Sequence, residues 1–135
     1  LNVYEANIEG CTFTLNTSSG FDGYCIYYYG NANSTVNVKN STFATAGKGI
    51  CIYSESAKAY NLNVDKCSFT SSDSATDKAA IQMHTELGIS GNVKITETTA
   101  TGFADINGGL WNELNNNTKV ATDKFDIWVD GTQVH

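Results

Sequence analysis

The chain has 135 residues, enough for one domain with a modest core, and a net charge of −6 carried without arginine or proline. That acidic balance excludes nucleic acid and anionic membrane surfaces as electrostatic partners. No apolar run approaches the roughly 18 residues a spanning helix needs, so membrane insertion is not expected.

Asn, Thr, Ser and Gly dominate the polar positions, and only 16% of residues are charged. This balance suits an extracellular bacterial β-protein, secreted or held at the cell surface. The first residue is Leu1 and no signal peptide is read, so the chain is taken as a mature piece of a longer protein.

The first element is "ANIEGCTF", Ala6 to Phe13, and the chain repeats it. "VNVKNSTF" runs from Val36 to Phe43, "LNVDKCSF" from Leu62 to Phe69 and "VKITETTA" from Val93 to Ala100. Aligned on Ile8, Val38, Val64 and Ile95, the copies lie 30, 26 and 31 residues apart. A second block follows each copy: "YCIYYY" from Tyr24, "ICIYSE" from Ile50, "IQMHTE" from Ile81 and, more loosely, "LWNELN" from Leu110. Two blocks in constant order at nearly one period mark a repeat architecture.

Each block alternates apolar and polar residues, the period of a half-buried strand. "NTSSGFDG", "TAGKG" and "TSSDSATDK" between the blocks are turn-forming. Short strands without helical periodicity leave an antiparallel sandwich or a parallel β-solenoid. Only a solenoid requires like residues in matching slots, each about 4.8 Å above its counterpart. The Phe column (Phe13, Phe43, Phe69) and the Asn column (Asn7, Asn37, Asn63) therefore favour an all-β parallel solenoid of about four to five coils.

The "NxxCxF" phrase followed by a glycine-led strand resembles the right-handed parallel β-helix, or pectate-lyase-like, superfamily. Within it the chain resembles uncharacterised surface β-helix proteins of gut bacteria. The resemblance covers roughly residues 1 to 103 and implies the fold rather than an activity. Enzymes of that superfamily generally use a cationic base, often Arg, with a carboxylate cluster that holds calcium or protonates a leaving group. This chain has no Arg, and Asp65, Asp73, Asp77, Glu86 and Glu97 form no tight pair on one strand. An enzyme is therefore the less favoured reading.

Residues 104–135 depart from the repeat and are read as a last partial coil and cap. Ile127 falls 32 residues after Ile95 and Asp126 beside Lys94, before a turn at "DG". Trp111 and Trp128 are expected to shield the last core layer. Coil one begins without a covering helix, which allows end-to-end self-association through the uncapped N-terminal coil.

Cys11 and Cys67 fall two coils apart in inward slots, about 9–10 Å from each other and too far for a disulfide, so buried free thiols are expected. Cys25 and Cys51 fall in one outward column of adjacent coils. A disulfide there is the lesser alternative, because parallel side chains seldom meet its dihedral. No CxxC or His-rich spacing supports a metal site, and no cofactor is expected. Asp73 and Asp77 read as a solvated turn before they read as a calcium loop.

The outward face of the second block holds the candidate ligand-binding residues. Its columns read Cys25, Cys51, Gln82, Trp111 and Tyr27, Tyr53, His84, Glu113. Aromatic faces beside polar hydrogen-bonding groups suit sugar rings, so a polysaccharide or host glycan is the expected partner. The plainer alternative is a tyrosine ladder that only stabilises an exposed sheet. His84 with Glu86 or Glu113 would be the general-base pair of any catalytic reading. A third surface carries Thr12, Thr42, Ser68 and Thr99 beside Thr14, Ala44, Thr70 and Thr101, a short outward hydroxyl array in which threonine is foremost a good exposed strand residue.

Overall fold

The computed structural model describes residues 4–16, 23–29, 32–53, 57–72, 79–85, 88–103, 107–115 and 122–135. Among the described residues fourteen strands form three sheets stacked as a β-solenoid. The first sheet runs β1 (Glu5–Glu9), β4 (Ser34–Lys39), β7 (Ala59–Asp65), β10 (Ser90–Thr96), β13 (Phe125–Val129) and β14 (Thr132–Gln133). The second contains β2 (Thr12–Leu15), β5 (Thr42–Thr45), β8 (Ser68–Ser71) and β11 (Thr99–Thr101). The third contains β3 (Tyr24–Tyr28), β6 (Lys48–Ile52), β9 (Ile81–His84) and β12 (Trp111–Leu114). Every pairing among these strands is parallel except β13 with β14. Among the described residues no helix is long and apolar enough to cross a membrane.

The first two sheets keep the register of the repeat. Ile8, Val38, Val64 and Ile95 lie opposite one another, as do Phe13, Phe43, Phe69 and Ala100. The phenyl rings stack nearly flat, with centroids 4.7 Å and 4.3 Å apart. Parallel in-register strands impose this spacing, so a flat residue finds its best neighbour in its own kind. On the outside, Asn37 Nδ2 donates to Asn7 Oδ1 at 2.9 Å and Asn63 Nδ2 to Asn37 Oδ1 at 2.7 Å. The Asn column is thus a hydrogen-bonded ladder.

A tight corner joins the first sheet to the second. Gly10, Asn40, Lys66 and Glu97 occupy it in successive coils, all with left-handed backbone (φ 63°, 47°, 51° and 46°). The amides of Gly10, Asn40 and Lys66 donate to Lys39, Asp65 and Thr96 of the next coil. One residue on, Ser41 and Thr98 accept from the backbone of Cys11 and Cys67 through their hydroxyls, at 3.1 Å and 3.2 Å.

Cys67 is buried, whereas Cys11 is exposed, contrary to expectation. Cys67 has a coil on each side, and its Sγ reaches Val38 O at 3.7 Å; Cys11 belongs to the first described coil and reaches only Glu9 O of its own strand. All four cysteines are free thiols. Burial raises the pKa of both Cys67 and Cys25.

The last pass also differs from expectation. Ile127 lies opposite Val93, Asp126 opposite Asn92 and Trp128 opposite Lys94. The shift from the expected register is two residues, so Ile127 still faces inward. Phe125 and Ile127 cover the end of the core, while Trp128 is only half-buried in the outward column.

Candidate functional site

The third sheet carries the candidate site, and its register departs from the repeat at two places. Tyr27 lies opposite Cys51, so β3 is displaced by two residues from the expected match of Tyr27 with Tyr53. The amides of Gly49 and Ile50 both donate to Ala80 O, a local bulge at the start of β6. Gly49 is required there, because a Cβ would stand 2.4 Å from the Phe69 ring. An even displacement keeps faces: Ile26, Ile50, Ile52, Ile81 and Met83 all belong to the core.

Between β9 and β12 the displacement is one residue, and faces exchange. Trp111 lies opposite Ile81, and Glu113 opposite Met83. Both were expected on the outward face, and both instead occupy inward positions: Trp111 joins the core, and Glu113 is fully buried. Asn112 and Leu114 take the outward slots beside Gln82 and His84. The proposed partnership of His84 with Glu113 is ruled out, since the two lie on opposite faces of the sheet. Cys25 also leaves its expected column. It packs against the core beside Thr45, and Tyr27 rather than Cys25 stands opposite Cys51, so the premise of a Cys25–Cys51 disulfide is gone.

Tyr27 and Tyr53 still meet. Their rings stack with centroids 6.1 Å apart, and Tyr24 and Tyr29 flank Tyr27 at 5.6 Å and 6.1 Å. Tyr27 is 40% exposed, and the other three are half-buried. Lys48, buried, places its ammonium 5.5 Å from the centre of the Tyr24 ring. The result is a four-tyrosine cluster on the outside of the first coils.

Farther along, the outward face is closed. Cys51, Gln82, His84, Asn112 and Leu114 are all buried, so both faces of this sheet are covered. His84 presents its ring edge-on to Tyr53 at 5.7 Å. Gln82 Nε2 lies 2.6 Å from His84 Nε2. The two side chains form one buried hydrogen-bonded pair on the outward face. Gln82 Oε1 and Asn112 Nδ2 are buried without a hydrogen-bond partner.

A second polar cluster was not read from the sequence. Glu113 Oε1 accepts from Thr122 Oγ1 (2.7 Å), Lys124 N (2.7 Å) and Phe125 N (3.2 Å). Its Oε2 lies 2.6 Å from His135 Nε2. The only sequence signal was a glutamate in "LWNEL" whose face depended on a one-residue choice of register.

The outward hydroxyl array of the second sheet stands as expected, exposed except at the half-buried Ser68. Beside it runs a shallow groove of about 380 Å³ lined by Thr14, Leu15, Ala44, Thr45, Thr70 and Ser71, among others. Asp73, Asp77 and Glu86 lie outside the described residues. Among the described residues no group of three or more His, Cys, Asp or Glu side chains could hold a metal ion. No protein-family model, curated protein or solved structure matches the chain.

Proposed function

We propose that the protein is a secreted or cell-surface β-helix module, of the pectate-lyase-like kind its repeat resembles, that binds and displays itself to glycan. The observation that carries this reading is the cluster of Tyr24, Tyr27, Tyr29 and Tyr53, with Tyr27 the most exposed of the four. Phenol rings on a rigid sheet offer apolar faces to sugar C–H groups and hydroxyls to sugar oxygens, at small entropic cost. The binding surface is smaller than the sequence suggested, because Gln82, His84, Trp111 and Glu113 are buried.

Binding is weak on this reading, since one aromatic contact contributes about 0.5–1.5 kcal/mol. The test is retention on arrays of polysaccharides and host glycans, with Tyr27→Ala/Tyr53→Ala as the variant. Loss of retention with an unchanged β-sheet spectrum supports the proposal. Retention that survives the double substitution, or a wild-type protein that binds no glycan, overturns it and leaves a structural stalk or the non-catalytic part of a polysaccharide-degrading enzyme.

One observation favours end-to-end stacking as a second reading. Asn37 and Asn63 each donate to the preceding coil, while Asn7 turns its amide to Glu5 at a long 3.4 Å. β1, β2 and β3 each lie at the edge of their sheet. A second copy stacked on this edge would give concentration-dependent mass in sedimentation equilibrium; a constant monomer mass removes this reading.

A further inference from the structure

Residues 122–135 are fastened to the end of the third sheet through one buried carboxylate. Glu113 is fully buried on β12, and its Oε1 gathers three donors from Thr122, Lys124 and Phe125. Thr85 Oγ1, which donates to Leu114 O at 3.0 Å, lies 2.7 Å from Thr122 Oγ1, so the same segment rests against the end of β9. His135 closes the arrangement. Its Nε2 lies 2.6 Å from Thr122 O and 2.6 Å from Glu113 Oε2. The carbonyl only accepts, so Nε2 carries a proton, and Glu113 draws the ring both as a charge and as a hydrogen-bond acceptor. The charge attraction is present only when the ring is an imidazolium.

Among the described residues the other titratable and charged groups around this ring are few. Asp123 Oδ1 lies 3.7 Å from Nε2, with its side chain fully exposed. Lys124 contributes its backbone amide to Glu113. The Trp111 ring stands 5.3 Å from the imidazole. His84 is on the opposite, outward face of the sheet.

We propose that residues 122–135 form a cap gated by the charge of His135, latched onto Glu113 when the imidazole is protonated and loosened when it is not. Phe125 and Ile127 are the apolar residues this cap lays over the end of the core, so a loosened cap uncovers that end. The direction in pH follows from the folded-state titration. Desolvation is the largest single influence on His135 and lowers its pKa, but the Thr122 carbonyl, Glu113 and Asp123 together outweigh it and raise it. A group whose folded pKa is raised stabilises fully below its unfolded value, about 6.5 for histidine, and that stability is lost as pH rises through the folded pKa. The cap is tightest in mild acid and loosens as the medium becomes neutral to alkaline.

The test uses the full chain. With two histidines, His84 and His135, the imidazole signals are assigned by His135→Gln and titrated by NMR. Hydrogen exchange in Phe125–Val129 is followed over the same range, as a ratio to exchange in β4 and β7, which removes the intrinsic pH dependence. Trp111 fluorescence in a Trp128→Phe background reports the neighbouring imidazolium. The expected result is a His135 midpoint above the unfolded value, with cap protection falling severalfold through it while β4 and β7 stay constant. Glu113→Gln should lower the midpoint. Should that variant fail to fold, His135→Gln, at a position with 19% side-chain exposure, must by itself abolish the pH dependence. A midpoint at or below the unfolded value, cap protection indifferent to pH, or a pH dependence that survives His135→Gln would each overturn the proposal.

Discussion

The first and third sheets are built from strands of the same repeat, yet they meet solvent differently. In the first, inward Val36, Val38, Leu62 and Val64 are buried, while outward Asn37 and Asn63 are half-buried and joined to each other. In the third, every residue of β6, β9 and β12 is buried. A sheet with one wet face writes its register into the sequence, because a one-residue slip would turn every apolar side chain outward. A sheet covered on both faces writes a weaker record, since the side chains of either face are buried in either register. The comparison separates an architectural sheet, whose outside is a polar ladder, from a sheet whose outside is a second interior.

The sharpest way to break this comparison is to place the same charge at equivalent outward positions. Thr42 is outward and exposed on the second sheet, and Thr42→Lys should change stability by no more than about 0.5 kcal/mol. Cys51 is outward on the third sheet with no exposed surface. Cys51→Lys buries an uncompensated charge and should cost about 3–5 kcal/mol, read by urea denaturation. Equal effects would mean that the third sheet is open to solvent like the others.

An expected loss of comparable size tests the core that all three sheets share. Phe43 is fully buried between Phe13 and Phe69, and its stacked rings hold both ladder neighbours. Phe43→Ala should cost about 3–5 kcal/mol. A loss below about 1 kcal/mol would mean that the coil collapses around the gap, as a well-packed ladder does not.

What was legible follows the same division. Ile8, Val38, Val64, Ile95 and the Phe and Asn columns could be placed from spacing alone, because each sits on a strand with a polar outer face. Trp111 and Glu113 could not. "LWNEL" offers apolar residues at positions 110, 111 and 114, which satisfy two registers equally. The two-residue displacement of β3 was hidden for another reason. Tyrosines at positions 27, 28 and 29 match almost any partner, so the alternation there does not distinguish one even register from another. The contact of Glu113 with His135 spans 22 positions and rests on the missed register of β12, so no local pattern announced it.

The smallest effect tests the corner that joins the two legible sheets. Asn40, Lys66 and Glu97 all hold φ near +50° and are exposed, so substitution there alters backbone preference more than packing. A left-handed residue other than Gly costs about 1–2 kcal/mol, with Asn the most tolerant, whereas glycine carries an entropic penalty of roughly 0.5–1 kcal/mol in the unfolded chain. Lys66→Gly should therefore stabilise by about 0.5–1 kcal/mol and Asn40→Gly by less, and a thermal midpoint that rises for Lys66→Gly but not for Asn40→Gly is the outcome this accounting requires. The reverse order would mean that Lys66 is held at the corner by its side chain rather than by the stacking of the coils. In that case the regularity of the first sheet would come from outside its own ladder, and the contrast with the third sheet would narrow.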